Sequence, residues 1–433
     1  MPTSDKESQN GEDKKYNLYT ERIAPNPWKR IRRLIIKVLR IIASAALFGT
    51  VAAMFFVLFS SVNEKINNED ESESTTISFT LDEYETDVVE EEEDTQPIED
   101  IVQNAIDERK LTKDDLSSIY DSLKELANDK MNSIVTVVSV VNEVDWFDNY
   151  YEKSGNTSGV IIAKDDNNIM ILTNYDAILE ADNLRVMLAS GNMVEATLLK
   201  GDISTNLAVI SIPLVELNVA DIDKIDIADL GNSYIVEQGE PLIAIGNIFG
   251  YHNTMNYGIA TAVRNVVQET DASYRLINTS IACERDGTGA LINLDGQLVG
   301  IVTSKYNTDT SSNLITAYSL SDLKVLMQQL SNNRDVTYLG IYGQSVTQAM
   351  QTSNGFPKGV YVTSTEPDSP AFVSGIQSGD IVTGINGAKI TSIKEYQQLL
   401  YSYSPGDVIM VSAMRLGREG YIGIEFQCTL GVK

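Results

Sequence analysis

Few side chains in this sequence could carry nucleophilic or acid–base chemistry. Imidazole, the side chain that titrates near neutral pH, occurs once in 433 residues, at His252. It lies in the glycine-rich stretch IGNIFGYHNT, which reads as a surface loop. Thiols occur twice, at Cys283 and Cys428, too few for a disulfide framework or a thiolate zinc site. No histidine adjoins Cys283 in sequence, so it reads as a buried strand-end thiol, and both cysteines are expected to be reduced. No metal and no cofactor is expected. Hydroxyls are plentiful, but a serine or threonine hydroxyl is a weak nucleophile until an adjacent base takes its proton. Where a base could stand therefore decides what this chain can catalyse.

The charge pattern bounds partners and placement. Asp plus Glu number 61 against 33 Lys plus Arg, for a net charge of −28, which argues against nucleic acid as a partner. Residues 41–62 carry no charge. At ~1.5 Å per helical residue this run matches the ~30 Å hydrocarbon core of a bilayer. It is too long for the apolar region of a cleaved signal peptide and lacks a small-x-small site at its end, so an uncleaved single-pass anchor is expected. Residues 1–40 hold ten basic and five acidic side chains, which places the N-terminus in the cytoplasm and the remainder outside. Residues 63–98, with EEEED at 90–94, read as an acidic disordered linker rather than a calcium loop, since no Asp-x-Asp-x-Asp-Gly spacing is present. Residues 99–130, with Ile101, Leu111, Leu116, Ile119, Leu123 and Leu126, predict a helical lead-in.

The elements that must position any site follow. Over 131–330 short β-branched runs alternate with turn residues: SIVTVVSVV, GVIIA, IMILT, LRVML, EATLL and LAVISI, then PLIAIG, GIATAV, LINTSI, ALINL and LVGIVTS. Such runs predict two antiparallel barrels in tandem, breaking near Asn232, rather than βαβ units. SLSDLKVLMQQL, with a serine start and Asp322 three residues on, predicts a capped closing helix. Residues 337–430 read as a smaller module of strands with one clear helix around residues 393–400.

Four segments, SGVIIAKDDNNIMILTNYDAI, GDISTNLAVISI, GNIFGYHNTMNYGIA and LINTSIACERDGTGALINLDGQLVGI, occur in one order ahead of that module. In kind and order they resemble the HtrA family, trypsin-like serine proteases with a C-terminal PDZ domain, over about 300 of the 433 residues. The resemblance implies a mainly β fold with a two-barrel chymotrypsin-like domain over 131–330, a PDZ domain over 337–430 and an anchoring N-terminal helix. It also implies where chemistry should sit. The family's histidine follows Thr-Asn-x, and here Thr173, Asn174 and Tyr175 are followed by Asp176. The orienting Asp belongs in Thr-Asp-Leu-Ala-Val, but Thr205 is followed by Asn206. Ungapped alignment sets Arg285, Asp286, Gly287, Thr288 and Gly289 against Gly-Asn-Ser-Gly-Gly, so Gly287 stands where the nucleophile would. In this protease class, changing the orienting Asp to Asn alone costs about 10⁴ in turnover. Arg285 replaces the glycine of the oxyanion turn, and Asp286 adds negative charge where positive dipoles are needed.

The expected protein is thus an anchored pseudoprotease. The alternative is a serine-type endopeptidase with an atypical set, Thr288 shifted into the nucleophile's place and Asp176 as base, although a carboxylate of pKa ~3.9 accepts a hydroxyl proton poorly. In the PDZ pattern Tyr338, Leu339, Gly340 and Ile341 match the carboxylate-binding loop, and Tyr396, Leu399 and Leu400 wall the last side-chain pocket. The resemblance therefore implies binding of polypeptides or protein C-termini by β-augmentation, a role in envelope protein quality control or sensing, and a homotrimer through the protease-like domain.

Overall fold

In the computed structural model, which describes residues 76–82, 112–144, 150–307 and 313–433, the described residues build two closed six-stranded barrels, an open six-stranded sheet and a two-stranded sheet. The first barrel comprises β1 (Ile134–Val144), β2 (Tyr150–Lys164), β3 (Asn168–Asn174), β4 (Asn183–Met187), β5 (Met193–Asp202) and β6 (Leu207–Pro213), ordered β1-β2-β3-β6-β5-β4. The second comprises β7 (Pro241–Asn247), β8 (Thr254–Glu269), β9 (Ala272–Ala282), β10 (Thr288–Ile292), β11 (Leu298–Thr303) and β12 (Leu314–Ser319), ordered β10-β11-β12-β9-β8-β7. Alternation along the strands explains the cores, because successive side chains point to opposite faces. In β6, Ala208, Ile210 and Ile212 fill the first barrel, while Leu207 and Val209 face a second core shared with the other barrel. With both faces covered, β6 reads as an unbroken apolar run.

Every short run named within residues 131–330 lies in or overlaps a strand. Strand β12 was not among them. The helices are α1 (Lys113–Lys130), α2 (Val219–Ile222), α3 (Leu320–Ser331), α4 (Gln348–Asn354), α5 (Pro370–Ser374) and α6 (Ile393–Leu400). The closing helix α3 forms, but not by its expected capping box: Ser319 makes no capping bond. Its hydroxyl instead pairs with that of Ser233, and Asp322 accepts from the Tyr234 hydroxyl and the Arg275 N–H. Tertiary partners have taken both side chains from the local motif. The lead-in is helical from Lys113, with the reciprocal cap between Thr112 and Asp115. Its face is narrower than its apolar spacing predicts, since Ala127 is buried and Leu123 and Leu126 pack on the core, whereas Leu116 and Ile119 are exposed.

The C-terminal module contains β13 (Thr337–Tyr338), β14 (Ile341–Ser345), β15 (Val360–Thr365), β16 (Ile381–Ile385), β17 (Ala388–Lys389), β18 (Val408–Gly417), β19 (Gly420–Thr429) and β20 (Gly431–Val432). Its main sheet runs β14-β15-β16-β18-β19, so β14 is an edge strand. Helix α6 packs against β9 and α3, and one apolar core runs from Tyr274, Tyr318 and Leu323 in the second barrel and α3 to Leu339, Ile341, Val360, Tyr396 and Leu400 in the module.

The linker reading needs correction at residues 76–82. There the chain lies as a strap on α3 and α6. The Ile77 N–H donates to Asn332 Oδ1 at 2.9 Å, and Asn332 Nδ2 donates back to the Ile77 carbonyl at 2.8 Å. Lys324 Nζ on α3 stands 2.8 Å from Asp82 Oδ2, with side-chain exposures of 3% and 13%, and Lys394 Nζ on α6 donates to the Asp82 carbonyl. Acidic composition made this stretch look solvated; the buried Lys324 and the half-buried Lys394 supply it with partners. Residues 1–40, the apolar run 41–62 and the rest of the linker lie outside the described residues, and among the described ones no helix is long and apolar enough to cross a membrane. Removing one partner from a buried ion pair costs about 3 kcal/mol or more. Asp82→Ala is therefore expected to lower the urea midpoint of the full chain by a corresponding amount, and an unchanged midpoint would show that the strap contributes nothing to stability.

Candidate functional site

Asp176 follows the end of β3 and is exposed, whereas Asn206 occupies the turn between β5 and β6 with a φ of 58°. The two come together. The Asp176 N–H donates to Asn206 Oδ1 at 2.7 Å, and the Tyr175 N–H donates to the Asn206 carbonyl at 3.0 Å. The contact thus uses the main chain of Asp176 and leaves its carboxylate turned to solvent.

Gly287 and Thr288 stand at the start of β10. An added Cβ at Gly287 would lie 2.6 Å from the Ile248 carbonyl oxygen and 3.1 Å from that of Glu284. A side chain there would force the turn to shift. The Gly287 N–H already donates to the Glu284 carbonyl at 3.0 Å, closing the turn through the exposed Arg285 and Asp286. Thr288 belongs to the seam between the barrels: its hydroxyl accepts from the Ser158 N–H at 2.9 Å and from the Thr157 hydroxyl at 3.2 Å. Ser158 Oγ in turn donates to the Thr288 carbonyl at 2.9 Å and accepts from the Asn247 N–H at 2.6 Å. Asn174, Asn206 and Thr288 border one cavity of about 20 Å³ between the barrels, room for about one water molecule. Among the described residues, no hydrogen bond joins the Thr288 hydroxyl to a carboxylate or an imidazole.

His252 is exposed on the turn between β7 and β8. Cys283 and Cys428 are both free and buried, and burial pushes the Cys283 thiol up, away from the nucleophilic thiolate. Among the described residues, no group of three or more His, Cys, Asp or Glu side chains could hold a metal ion.

Residues 338–341 form a tight turn from β13 into β14. Gly340 has a φ of 94°, and a Cβ there would fall 2.2 Å from that of Ser369, the residue that caps α5. Glycine is required both by the backbone and by the close approach. Leu339, Ile341, Tyr396 and Leu400 are wholly buried, and Leu399 is half-buried. Sequence reasoning missed what they meet. Asp271, in the turn of the β8–β9 hairpin, places its carboxylate in this loop: Oδ2 accepts from the N–H groups of Leu339 and Gly340, each at 2.8 Å. Oδ1 accepts from the Ile341 N–H at 3.1 Å and from the Tyr396 hydroxyl at 2.6 Å. Burial pushes the Asp271 carboxyl up, opposed by the hydrogen bonds from Tyr396 and the loop and by the Lys433 charge. In sequence, ETDAS looks like any hairpin turn, and the strand runs read on either side of it, GIATAV and LINTSI, stop short of it.

Residues 157–301 match the trypsin-like peptidase domain family, and residues 325–426 match the PDZ domain family. Serine protease Do-like HtrA of Bacillus subtilis (strain 168) is 30% identical over 286 residues, covering 62% of this chain and 62% of that protein. This chain therefore spans under two thirds of that relative. Serine endoprotease DegS of Haemophilus influenzae (strain ATCC 51907 / DSM 11121 / KW20 / Rd) is 30% identical over 268 residues, covering 60% of this chain and 74% of that protein. Among solved structures, the HtrA-type protease AlgW with decapeptide superposes with a TM-score of 0.51 at 22% identity, covering 72% of this chain and 98% of that one, a likeness of fold.

The seam makes its own prediction. Thr288→Val deprives the Ser158 N–H of its acceptor, a loss worth about 1–3 kcal/mol for a buried donor. Urea unfolding should show the variant less stable by that amount, and equal stability would remove Thr288 from the seam.

Proposed function

The chain belongs to the HtrA family of trypsin-like proteases with PDZ domains, and from that premise we propose that it is a membrane-anchored, extracytoplasmic pseudoprotease that recognises polypeptide through its PDZ module. One observation carries the loss of chemistry: the residues aligned with the family's base and orienting acid, Asp176 and Asn206, meet through a main-chain N–H and a side-chain amide, with no imidazole between them. Proton abstraction from a hydroxyl needs a base within about 3 Å whose pKa lies near the working pH. Thr288 does not supply the alternative nucleophile, because its hydroxyl is engaged in the barrel seam. The turn at Gly287 also favours this reading. An oxyanion hole needs main-chain N–H groups aimed at the reacting centre, and the one at the nucleophile's position closes its own turn instead.

Recognition rests on the other half of the chain. A loop whose three successive N–H groups converge on a carboxylate, beside an edge strand, has the chemistry to hold a peptide's C-terminus and extend the sheet with it. The uncharged run 41–62 and its basic flank support an anchor with the folded part outside the cytoplasm, where exposed C-termini of damaged envelope proteins are suitable ligands. A homotrimer through the barrels is part of the same reading, and sedimentation of the full-length chain in detergent tests it.

The full-length chain is expected to leave a reduced, carboxymethylated, fluorescently labelled protein substrate intact and to form no adduct with an active-site phosphonate. The relatives are named as serine proteases, which makes turnover the outcome that matters. Cleavage or labelling that disappears in Thr288→Ala would overturn the pseudoprotease reading in favour of an atypical endopeptidase.

A further inference from the structure

Asp271 offers the loop both of the groups that a chain end offers. Its carboxylate takes the N–H groups of Leu339, Gly340 and Ile341, and its own main-chain N–H donates to the Ile341 carbonyl at 2.7 Å. A C-terminal residue adding to edge strand β14 would present the same pair, a carboxylate to the turn and an N–H to the strand. Here the carboxylate comes from a side chain, and a φ of 60° lets the hairpin turn deliver both groups at once.

The surrounding contacts continue the mimicry. Gln268, three residues before Asp271, accepts through Oε1 from the Thr363 hydroxyl on β15 at 2.8 Å. On the other wall, Gln397 Nε2 of α6 donates to the Tyr274 hydroxyl of β9 at 3.2 Å. Lys433 Nζ donates to the Thr270 carbonyl at 2.9 Å and stands 3.5 Å from the buried Asp202 carboxylate at the end of β5, tying the tip of the hairpin to the first barrel. The β8–β9 hairpin therefore engages both the strand side and the helix side of the module.

We propose that Asp271 is an internal surrogate for a peptide C-terminus, so that the β8–β9 hairpin and a C-terminal ligand compete for one carboxylate site, and ligand binding separates the PDZ module from the second barrel. The proposal rests on the reading of residues 338–341 as a C-terminus site and adds its regulation. A site that is free only part of the time binds with an affinity reduced by the fraction free. Weakening the surrogate raises that fraction and tightens peptide binding, although the substitution makes no contact with the peptide.

The test uses the full-length chain in detergent and a library of fluorescein-labelled octapeptides varied at the last three positions, each made as free acid and as amide. Polarisation should find free acids that bind the native chain weakly and Asp271→Ala at least tenfold more tightly, with the amides binding neither. Gln268→Ala, which releases the hairpin from Thr363 on β15 without touching residues 338–341, should shift affinity in the same direction by a smaller factor and stands in if Asp271→Ala fails to fold. In the native chain, a saturating free acid should speed amide hydrogen exchange across residues 266–275. Equal affinity for the native chain and a folded variant, or no change in exchange, overturns the surrogate alone. If no free acid binds any of the chains, or amides bind as well as acids, the C-terminus site itself falls and the surrogate with it.

Discussion

A buried main-chain N–H must find an acceptor, and the turn at residues 338–341 has three in a row that the Asp271 carboxylate satisfies. Much of the arrangement of the molecule depends on this demand. It fixes the β8–β9 hairpin against edge strand β14, a strand that would otherwise expose a row of unpaired groups. It sets Tyr396 with its hydroxyl on the same carboxylate, and so orients α6. The barrels and the module then close over one apolar core. A carboxylate from one unit and a glycine turn from another thereby act as one joint.

The other polar concentration lies between the barrels. Ser158, Asn247 and Thr288 exchange hydrogen bonds across the seam, and Asn206 binds the chain just past β3. Each of these groups satisfies a main-chain partner that the barrel geometry leaves near the interface. These contacts give polar side chains a structural role at the seam.

The barrels were legible because β-branched runs bounded by turn residues report directly on strands whose faces are both covered, as in β6 and β7. Strand β12 escaped because Ser319 at its end also looks like a helix start, and the side chain that suggested a cap is instead paired with Ser233. The strap escaped for a different reason. TISFTLD alternates polar and apolar residues, an extended-chain pattern hidden by the acidic run around it, and its partners Asn332, Lys324 and Lys394 lie some 240 to 310 residues away. Asp271 is the sharpest instance, an ordinary turn residue by type whose role is set by a loop 68 residues further on. Asp176, Asn206 and Gly287 were readable as departures from the family's motifs, whereas the filling of the carboxylate loop depends on a long-range contact.

The shared core has a thermal consequence. Leu339, Ile341, Tyr396 and Leu400 are dry because Tyr274 and its neighbours in the second barrel lie in the same apolar cluster. A ligand that opened the joint would bury its own apolar atoms, which lowers the heat capacity, while wetting those of the core, which raises it. The two changes oppose one another. Binding to the closed chain would then show an enthalpy that varies little with temperature, and the steep dependence usual for an apolar groove would appear only once the joint had been opened beforehand.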